Sequence, residues 1–187
     1  KLAGIAYILA VALGVVVGVV AAVNHGKWVD SVLMTISVFG ISAPAFWIAI
    51  ILQIVICLKF NLLPLSGIDS FKSFILPGIA LGTRYAASIA RITRTSMLDV
   101  LSQDYIRTAE AKGLKGWVVT IKHALRNALI PIITIAGSDL GNILTGSVLV
   151  ESVFSIPGIG KMLVDSINTR DLPIVQGGVM YIAVICV

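Results

Sequence analysis

The chain has 187 residues, of which 58% are apolar and 12% charged, and its formal net charge is +5 at pH 7. With a mean hydropathy of +1.02, it is excluded from the ordinary soluble globular proteins and predicted to be an all-α membrane protein. Its two cysteines lie inside apolar runs, so neither a disulfide framework nor a metal site is expected.

Five apolar runs are predicted to span the membrane. Leu2–Val23 would form a helix of about 33 Å, which matches a hydrocarbon core of roughly 30 Å. After a polar turn at 24–30, a second run follows in which Pro44 is expected to kink the helix, because proline lacks a backbone donor. The second to fifth runs are 32–58, 75–96, 131–150 and 173–187. Since the chain starts at Lys1 and the fifth run is short, we expect a fragment of a longer protein.

The distribution of charge predicts the orientation of the chain. Residues 84–126 hold eight Lys or Arg and three Asp or Glu, a net of +5, whereas the remaining residues are neutral overall. Because cytoplasmic loops carry an excess of Lys and Arg, this basic segment is predicted to face the cytoplasm. Alternating the spans then places the turn at 24–30 inside and the segments 61–73 and 151–171 outside.

A helix, a tight turn and a second helix are predicted within the basic segment. Gly113 suits the left-handed position just past a helix end, and residues 117–128 have a second helical pattern before Pro131. Such a unit could lie on lipid headgroups or dock onto another protein, and the residues alone leave both open. The first helix has an apolar stripe at helical spacing, formed by Leu98, Leu101, Tyr105 and Ala109.

The run DYIRTAEAKGLKGWVVTIKHALRNALIP at 104–131 resembles the cytoplasmic coupling loop, or EAA loop, of permease subunits in binding-protein-dependent ABC importers. It is most similar to the dipeptide, oligopeptide and nickel branch, in which Arg107, Thr108 and Ala109 stand where the general pattern has Glu-Ala-Ala. The resemblance covers nearly the whole chain through SAPAFW at 42–47, LPLSG at 63–67, ARITRTSM at 90–97, ESVFSIPGIGKMLVDSI at 151–167 and PIVQGG at 173–178.

This resemblance implies an all-α polytopic helical bundle of the ABC importer permease type, with residues 1–187 in one transmembrane domain and the coupling loop at 97–130. It implies a non-catalytic subunit of the cell (inner or plasma) membrane that imports small peptides or a related solute such as nickel chelates or glutathione. The chain would bind no cofactor itself, because ATP and Mg²⁺ would bind to partner ATPase subunits. A second permease subunit and an extracytoplasmic substrate-binding protein are the other expected partners, and no nucleic acid is expected.

The resemblance also implies that the first helix of the loop sits in a cleft of the ATPase subunit and passes on its movement. A packed helix transmits force better than a flexible loop, and glycine permits a sharp turn at the contact. The predicted coupling residues are Asp104, Tyr105, Arg107, Thr108, Ala109, Glu110, Ala111, Lys112 and Gly113.

Two ionisable residues, Arg84 and Asp139, fall near the centres of the third and fourth runs, where a charge is costly unless it is paired or faces water. They could form a structural salt bridge with each other, or they could line a translocation path together with Asn142. The same two charges would serve an ion-coupled secondary transporter, which is the alternative function.

The outer connector at 151–171 is expected to form an outer gate or a platform for the substrate-binding protein, with Phe154, Pro157 and Gly158 shaping its turn. A structural cap over helix ends is the alternative. The connector is not a phosphate-binding P-loop, because its glycine spacing is wrong and Met162 follows the lysine. No catalytic residue is predicted, since both histidines are isolated and no catalytic motif is present.

Overall fold

The computed structural model describes residues 2–67, 71–146 and 148–186, and within these ranges every regular element is helical. Two π-helical segments, Gln53–Lys59 and Val119–Leu125, follow α3 and α6, and a short 3₁₀ helix, Phe71–Phe74, precedes α4. The all-α prediction is therefore confirmed. The α-helices are α1 Leu2–Val23, α2 Trp28–Ser42, α3 Ala45–Leu52, α4 Ile75–Leu101, α5 Asp104–Ala111, α6 Gly116–Val118, α7 Arg126–Gly146, α8 Val148–Val153, α9 Ile159–Asn168 and α10 Leu172–Cys186.

Two stretches of the described residues are long and apolar enough to cross a membrane as single helices. They are Leu2–Val23, with 22 residues, and Gly116–Ile143, with 28 residues. The broken pair Trp28–Ser42 and Ala45–Lys59 adds a third if it is counted as one span. The predicted third and fifth spans are present as helices, but α4 is less apolar than these stretches and α10 has only 15 residues.

Pro44 and Pro131 affect their helices differently from what was predicted. Pro44 interrupts the second run, and α3 starts only after it, so the expected kink is a break. Pro131 lies inside α7, so the fourth run does not begin there. A proline removes one backbone donor but has a helical φ, and a helix can continue through it when its neighbours satisfy the freed carbonyl.

The chain separates into two compact units, of which the second comprises 10–42 and 85–138. Here α1 and α4 pack at very short range through two glycines on α1. A Cβ atom built on Gly14 would lie 2.7 Å from the carbonyl oxygen of Ala86, and one on Gly18 would lie 2.6 Å from that of Ala90. Small residues spaced four apart on both helices allow this close approach, as in other membrane helix pairs.

The first compact unit comprises the described residues of 1–9, 43–84 and 139–187. The start of α1 approaches α4 in this unit too, since a Cβ atom on Gly82 would lie 2.9 Å from the carbonyl oxygen of Ala6. Helix α9 packs between α8 and α10. Cys57 is buried, and the side chain of Cys186 lies outside the described residues.

Candidate functional site

The first helix of the predicted coupling loop is α5, Asp104–Ala111. It starts after Gln103, which is extended, and Asp104 in its first turn interacts favourably with the helix dipole. It ends in a turn at Gly113, whose φ is +75° and whose N–H donates to the carbonyl oxygen of Glu110 at 2.9 Å. Helix α6 begins at Gly116, so the predicted sequence of helix, tight turn and helix is confirmed.

The inner face of α5 is apolar and packed. Ile106 is 1% exposed and Ala109 is 7% exposed. The helix packs on the second π-helical segment, which buries Val119 and Ala124. This packing fixes α5 to the start of the helix that continues through Gly116–Ile143, so a force applied to α5 reaches a membrane-length helix.

The outer face of α5 and its turn form an exposed surface. Of the nine predicted coupling residues, only Ala109 lies beneath this surface, on the inner face. Tyr105 is exposed, and its hydroxyl oxygen accepts a 3.0 Å hydrogen bond from the Asn127 side chain. The exposed members are Asp104, Tyr105, Arg107, Thr108, Glu110, Ala111, Lys112 and Gly113.

Large apolar side chains extend this surface past the turn. Trp117 is 69% exposed, and Leu114 and Ile121 are also exposed. Large exposed apolar side chains that lie close together along the chain are typical of a surface that contacts a partner or a membrane. The exposed face of α5 and these three residues together define what we call the loop surface.

The two intramembrane charges do not form an ion pair. In the part of the chain that the structure describes, Arg84 and Asp139 do not come within the 4.0 Å of a salt bridge. Arg84 is exposed, and it is close enough to act electrostatically on the Asp139 carboxyl, which the Asn142 side chain also contacts. One carboxyl oxygen of Asp139 is buried without a hydrogen-bond partner. The structural salt bridge is therefore not supported.

The outer connector is organised around Glu151, a residue that the sequence analysis did not select. Its carboxylate is buried and accepts hydrogen bonds from the backbone N–H groups of Gly160, at 2.9 Å, and Lys161, at 3.3 Å. It thereby caps the first turn of α9. A Cβ atom at Gly158 or Gly160 would collide with this carboxylate, so both glycines make room for it.

The predicted gate residues occupy different environments around this cap. Phe154 is fully buried, whereas Pro157 is exposed and Gly158 lies at the N-terminal cap of α9. An open cleft of about 370 Å³ adjoins them. It is lined by Pro157, Gly158, Lys161, Met162, Asp165, Ser166, Thr169, Asp171 and Ile174.

Comparison with known proteins identifies the family. The model of the family described as "Binding-protein-dependent transport system inner membrane component" matches residues 14–187. The chain belongs to this family. The predicted membership of the permease subunits of binding-protein-dependent importers is therefore confirmed, and so is the prediction of a membrane protein.

Curated relatives in this transport family support the predicted peptide and nickel branch. The glutathione transport system permease protein GsiC of Escherichia coli (strain K12) is 47% identical over 171 residues, which cover 91% of this chain and 56% of the relative. The protein of the same name from Salmonella typhi is 46% identical over 173 residues, which cover 92% of this chain and 56% of the relative. The chain thus spans about half the length of these relatives.

Sequence reasoning drew the apolar stripe of this transport-family loop through a helix break. The predicted stripe ran from α4 into α5 without a break, but α4 ends at Leu101 and α5 starts at Asp104. The helical spacing therefore restarts, so that Tyr105 is exposed and Ile106 is buried. The three-residue spacing of Ile106 and Ala109 was the signal in the sequence for the buried face of α5. For Glu151, the signal was an acidic residue ahead of two glycines in ESVFSIPGIG.

Proposed function

We propose that this chain forms part of a permease subunit of an ATP-driven importer that moves small peptides, or a related solute such as glutathione or nickel chelates, into the cell. The family membership supports import that depends on a binding protein. The curated relatives carry the name of glutathione transport system permeases, which supports a small peptide as the solute. Family membership also disfavours the alternative of an ion-coupled secondary transporter.

One observation carries the proposed mechanism: α5 is packed on its inner side by Ile106 and Ala109, while the other predicted coupling residues are exposed. A short helix held in this way can enter a cleft of an ATPase subunit without unfolding. Closure of that subunit would then move α5 as a rigid body, together with the helix that follows it. Exposed Trp117 and Leu114 would add apolar area to the contact.

The partners follow from this mechanism. ATP and Mg²⁺ bind to two ATPase subunits, and this chain binds no cofactor and is not an enzyme. A second permease subunit, identical or different, completes the transmembrane pathway, and an extracytoplasmic substrate-binding protein delivers the solute. The subunit is a multi-pass protein of the inner or plasma membrane with the basic loop on the cytoplasmic side.

Arg84, Asp139 and Asn142 are proposed to line the translocation path. An exposed Arg84, which has no ion-pair partner within 4.0 Å among the described residues, offers a positive charge to the carboxylate end of a peptide. A buried, unpartnered carboxyl oxygen on Asp139 offers an acceptor to its ammonium end. Phe154, Pro157 and Gly158 are proposed to shape the outer gate, with Glu151 holding their connector in place.

The test is transport by the full-length subunit, assembled with its ATPase subunits in lipid vesicles and supplied with the substrate-binding protein. We expect uptake to require ATP, and Gly113→Asp to abolish uptake while membrane insertion is retained. Gly116→Asp is the matched control, because it adds the same charge three residues away, where φ is not positive and no atom lies within 4 Å of an added Cβ.

Two results would contradict the proposed function. Uptake that follows a proton or sodium gradient without any ATPase would support the secondary transporter. Normal uptake and normal substrate-stimulated hydrolysis in the Gly113→Asp complex would show that the loop surface is not the coupling contact.

A further inference from the structure

An ion pair with a buried carboxylate lies outside every site described so far. The carboxylate of Asp30, a residue in the first turn of α2 that is only 4% exposed, receives two hydrogen bonds from the Arg94 guanidinium. Nε donates to Oδ1 at 2.6 Å, and Nη2 donates to Oδ2 at 2.7 Å. This two-pronged arrangement is the strongest geometry that arginine and carboxylate can adopt.

The turn between α1 and α2 closes over this pair. The backbone N–H of Gly26 donates to Asp30 Oδ2 at 3.3 Å. The Nδ1 atom of His25 lies 3.1 Å from the same oxygen and 3.0 Å from Arg94 Nη2. The pair therefore joins three parts of the second compact unit, which are the turn, the start of α2 and helix α4. We call this group the turn clamp.

The turn clamp is weak evidence for a gain in stability. Desolvation of the buried Asp30 carboxylate offsets much of its attraction to the partly exposed Arg94. Such a pair does fix geometry, because any shift of α4 relative to the turn would leave a charge buried and unpaired. A clamp of this kind holds elements in one register while they move.

The position of the turn clamp along α4 places it close to the predicted coupling helix α5. Arg94 lies seven residues, about two turns, before Leu101 ends α4, and α5 starts at Asp104. On the other side of the clamp, Gly14 and Gly18 bring α1 into backbone contact with α4. Helix α4 is thus joined to α5 by only two residues, and the clamp and the glycine contacts are where α4 holds the first two helices.

We infer that Asp30 and Arg94 are positioning residues of the transport cycle: they hold the α1–α2 turn to α4 so that both helices follow the coupling helix α5 when an ATPase subunit moves it. This inference rests on the proposed function. It adds that transport requires the turn clamp. Neither Asp30 nor Arg94 belongs to the loop surface or to the proposed translocation path.

The first experiment measures uptake and ATP hydrolysis together, in vesicles with the full-length complex and the binding protein, using glutathione as the probe. We compare Asp30→Asn, Arg94→Gln and the double variant with Lys27→Gln, a control that removes an exposed charge from the same turn. Each single clamp variant is expected to retain ATPase subunits during purification but to transport about fivefold less solute per ATP hydrolysed. The double variant should lose no more than the worse single variant, because both single changes break one interaction.

A second experiment distinguishes positioning from a merely structural role. Spin labels on cysteines replacing Lys27 and Gln103, both exposed, report the distance between the turn and the start of α5. In the otherwise unmodified complex, this distance should stay within about 2 Å between the resting state and the nucleotide-trapped state. With Asp30→Asn added, the distance should change on trapping, while the resting distance remains that of the parent.

The outcomes separate the inference from the proposed function. A complex in which ATP drives no uptake, even without substitutions, overturns the proposed function. Where ATP does drive uptake, an unchanged ratio of transport to hydrolysis in both single variants overturns the inference. A label distance that changes on trapping in the parent complex overturns it as well, and so does an Asp30→Asn complex whose label distance stays fixed.

Discussion

The side-chain amide of Asn127 donates to the hydroxyl oxygen of Tyr105 at 3.0 Å and to the carbonyl oxygen of His123 at 2.9 Å. It thus links the predicted coupling helix α5 to the first turn of α7, on the exposed side of their packing. The buried contact of Ile106 and Ala109 lies beside this hydrogen bond, because Tyr105 and Ala109 are one helical turn apart. The hydrogen bond therefore adds an exposed contact next to the buried one.

Tyr105→Phe is expected to loosen α5 without unfolding it. The change removes one exposed hydrogen bond, which contributes about 1 kcal/mol or less. Amide hydrogen exchange in α5 should become faster by up to about fivefold, and Asn127→Ala should have the same effect. If the double variant exchanges much faster than either single variant, the two side chains do not act as a pair.

Gly18→Val is expected to destabilise the contact between α1 and α4. The added side chain would meet the carbonyl oxygen of Ala90 at 2.6 Å, and such overpacking costs about 1 to 3 kcal/mol. The measurement is the thermal unfolding midpoint of the protein in detergent. Gly4→Val is the matched control on the same helix, because no atom lies within 4 Å of an added Cβ there. Equal midpoints for the two variants would contradict this packing.

Glu151→Ala is expected to release the first turn of α9. Loss of the acceptor for the N–H groups of Gly160 and Lys161 should cost about 1 to 2 kcal/mol, whereas Glu151→Gln retains an acceptor oxygen and should cost less. Amide hydrogen exchange at Gly160 and Lys161 measures the opening of this turn. Exchange should speed up in Glu151→Ala and remain slow in Asp165→Asn, which alters an exposed carboxylate on α9. No difference between these two variants would exclude a capping role.

Asp139→Asn tests the proposed translocation path. Because no ion pair with Arg84 is lost within 4.0 Å, the variant should insert and unfold at nearly the same temperature as the parent. The expected change is in substrate preference, measured by competition between peptides with free and blocked amino termini. A variant that fails to fold, with preference unchanged in whatever protein survives, would favour a structural role.

The coupling loop could be predicted from the sequence because its signals are local. Gly113 marks a left-handed turn, and the charges lie on short helices. Each of these signals comes from residues within a single loop. Its apolar stripe was predicted to be continuous because helical spacing was counted through the break at Ser102 and Gln103. Periodicity predicts faces within one helix and carries no information across its end.

The turn clamp and the glycine contacts could not be predicted because they depend on which helices meet. Asp30 and Arg94 are 64 residues apart, and nothing in either segment identifies the other as its partner. The spacing of Gly14 and Gly18 does match the small-residue pattern of packed membrane helices. It indicates that α1 has a close neighbour, but only the structure identifies α4 as that neighbour.

The π-helical segment Val119–Leu125 affects how the helix beyond it should be studied. Each turn of a π-helix holds roughly one residue more than a turn of an α-helix. A helical wheel drawn from Gly116 at 100° per residue therefore accumulates an angular error before it reaches Arg126. A helical wheel used to plan scanning mutagenesis of α7 should therefore start at Arg126. A wheel that starts at Gly116 would assign residues of α7 to the wrong face.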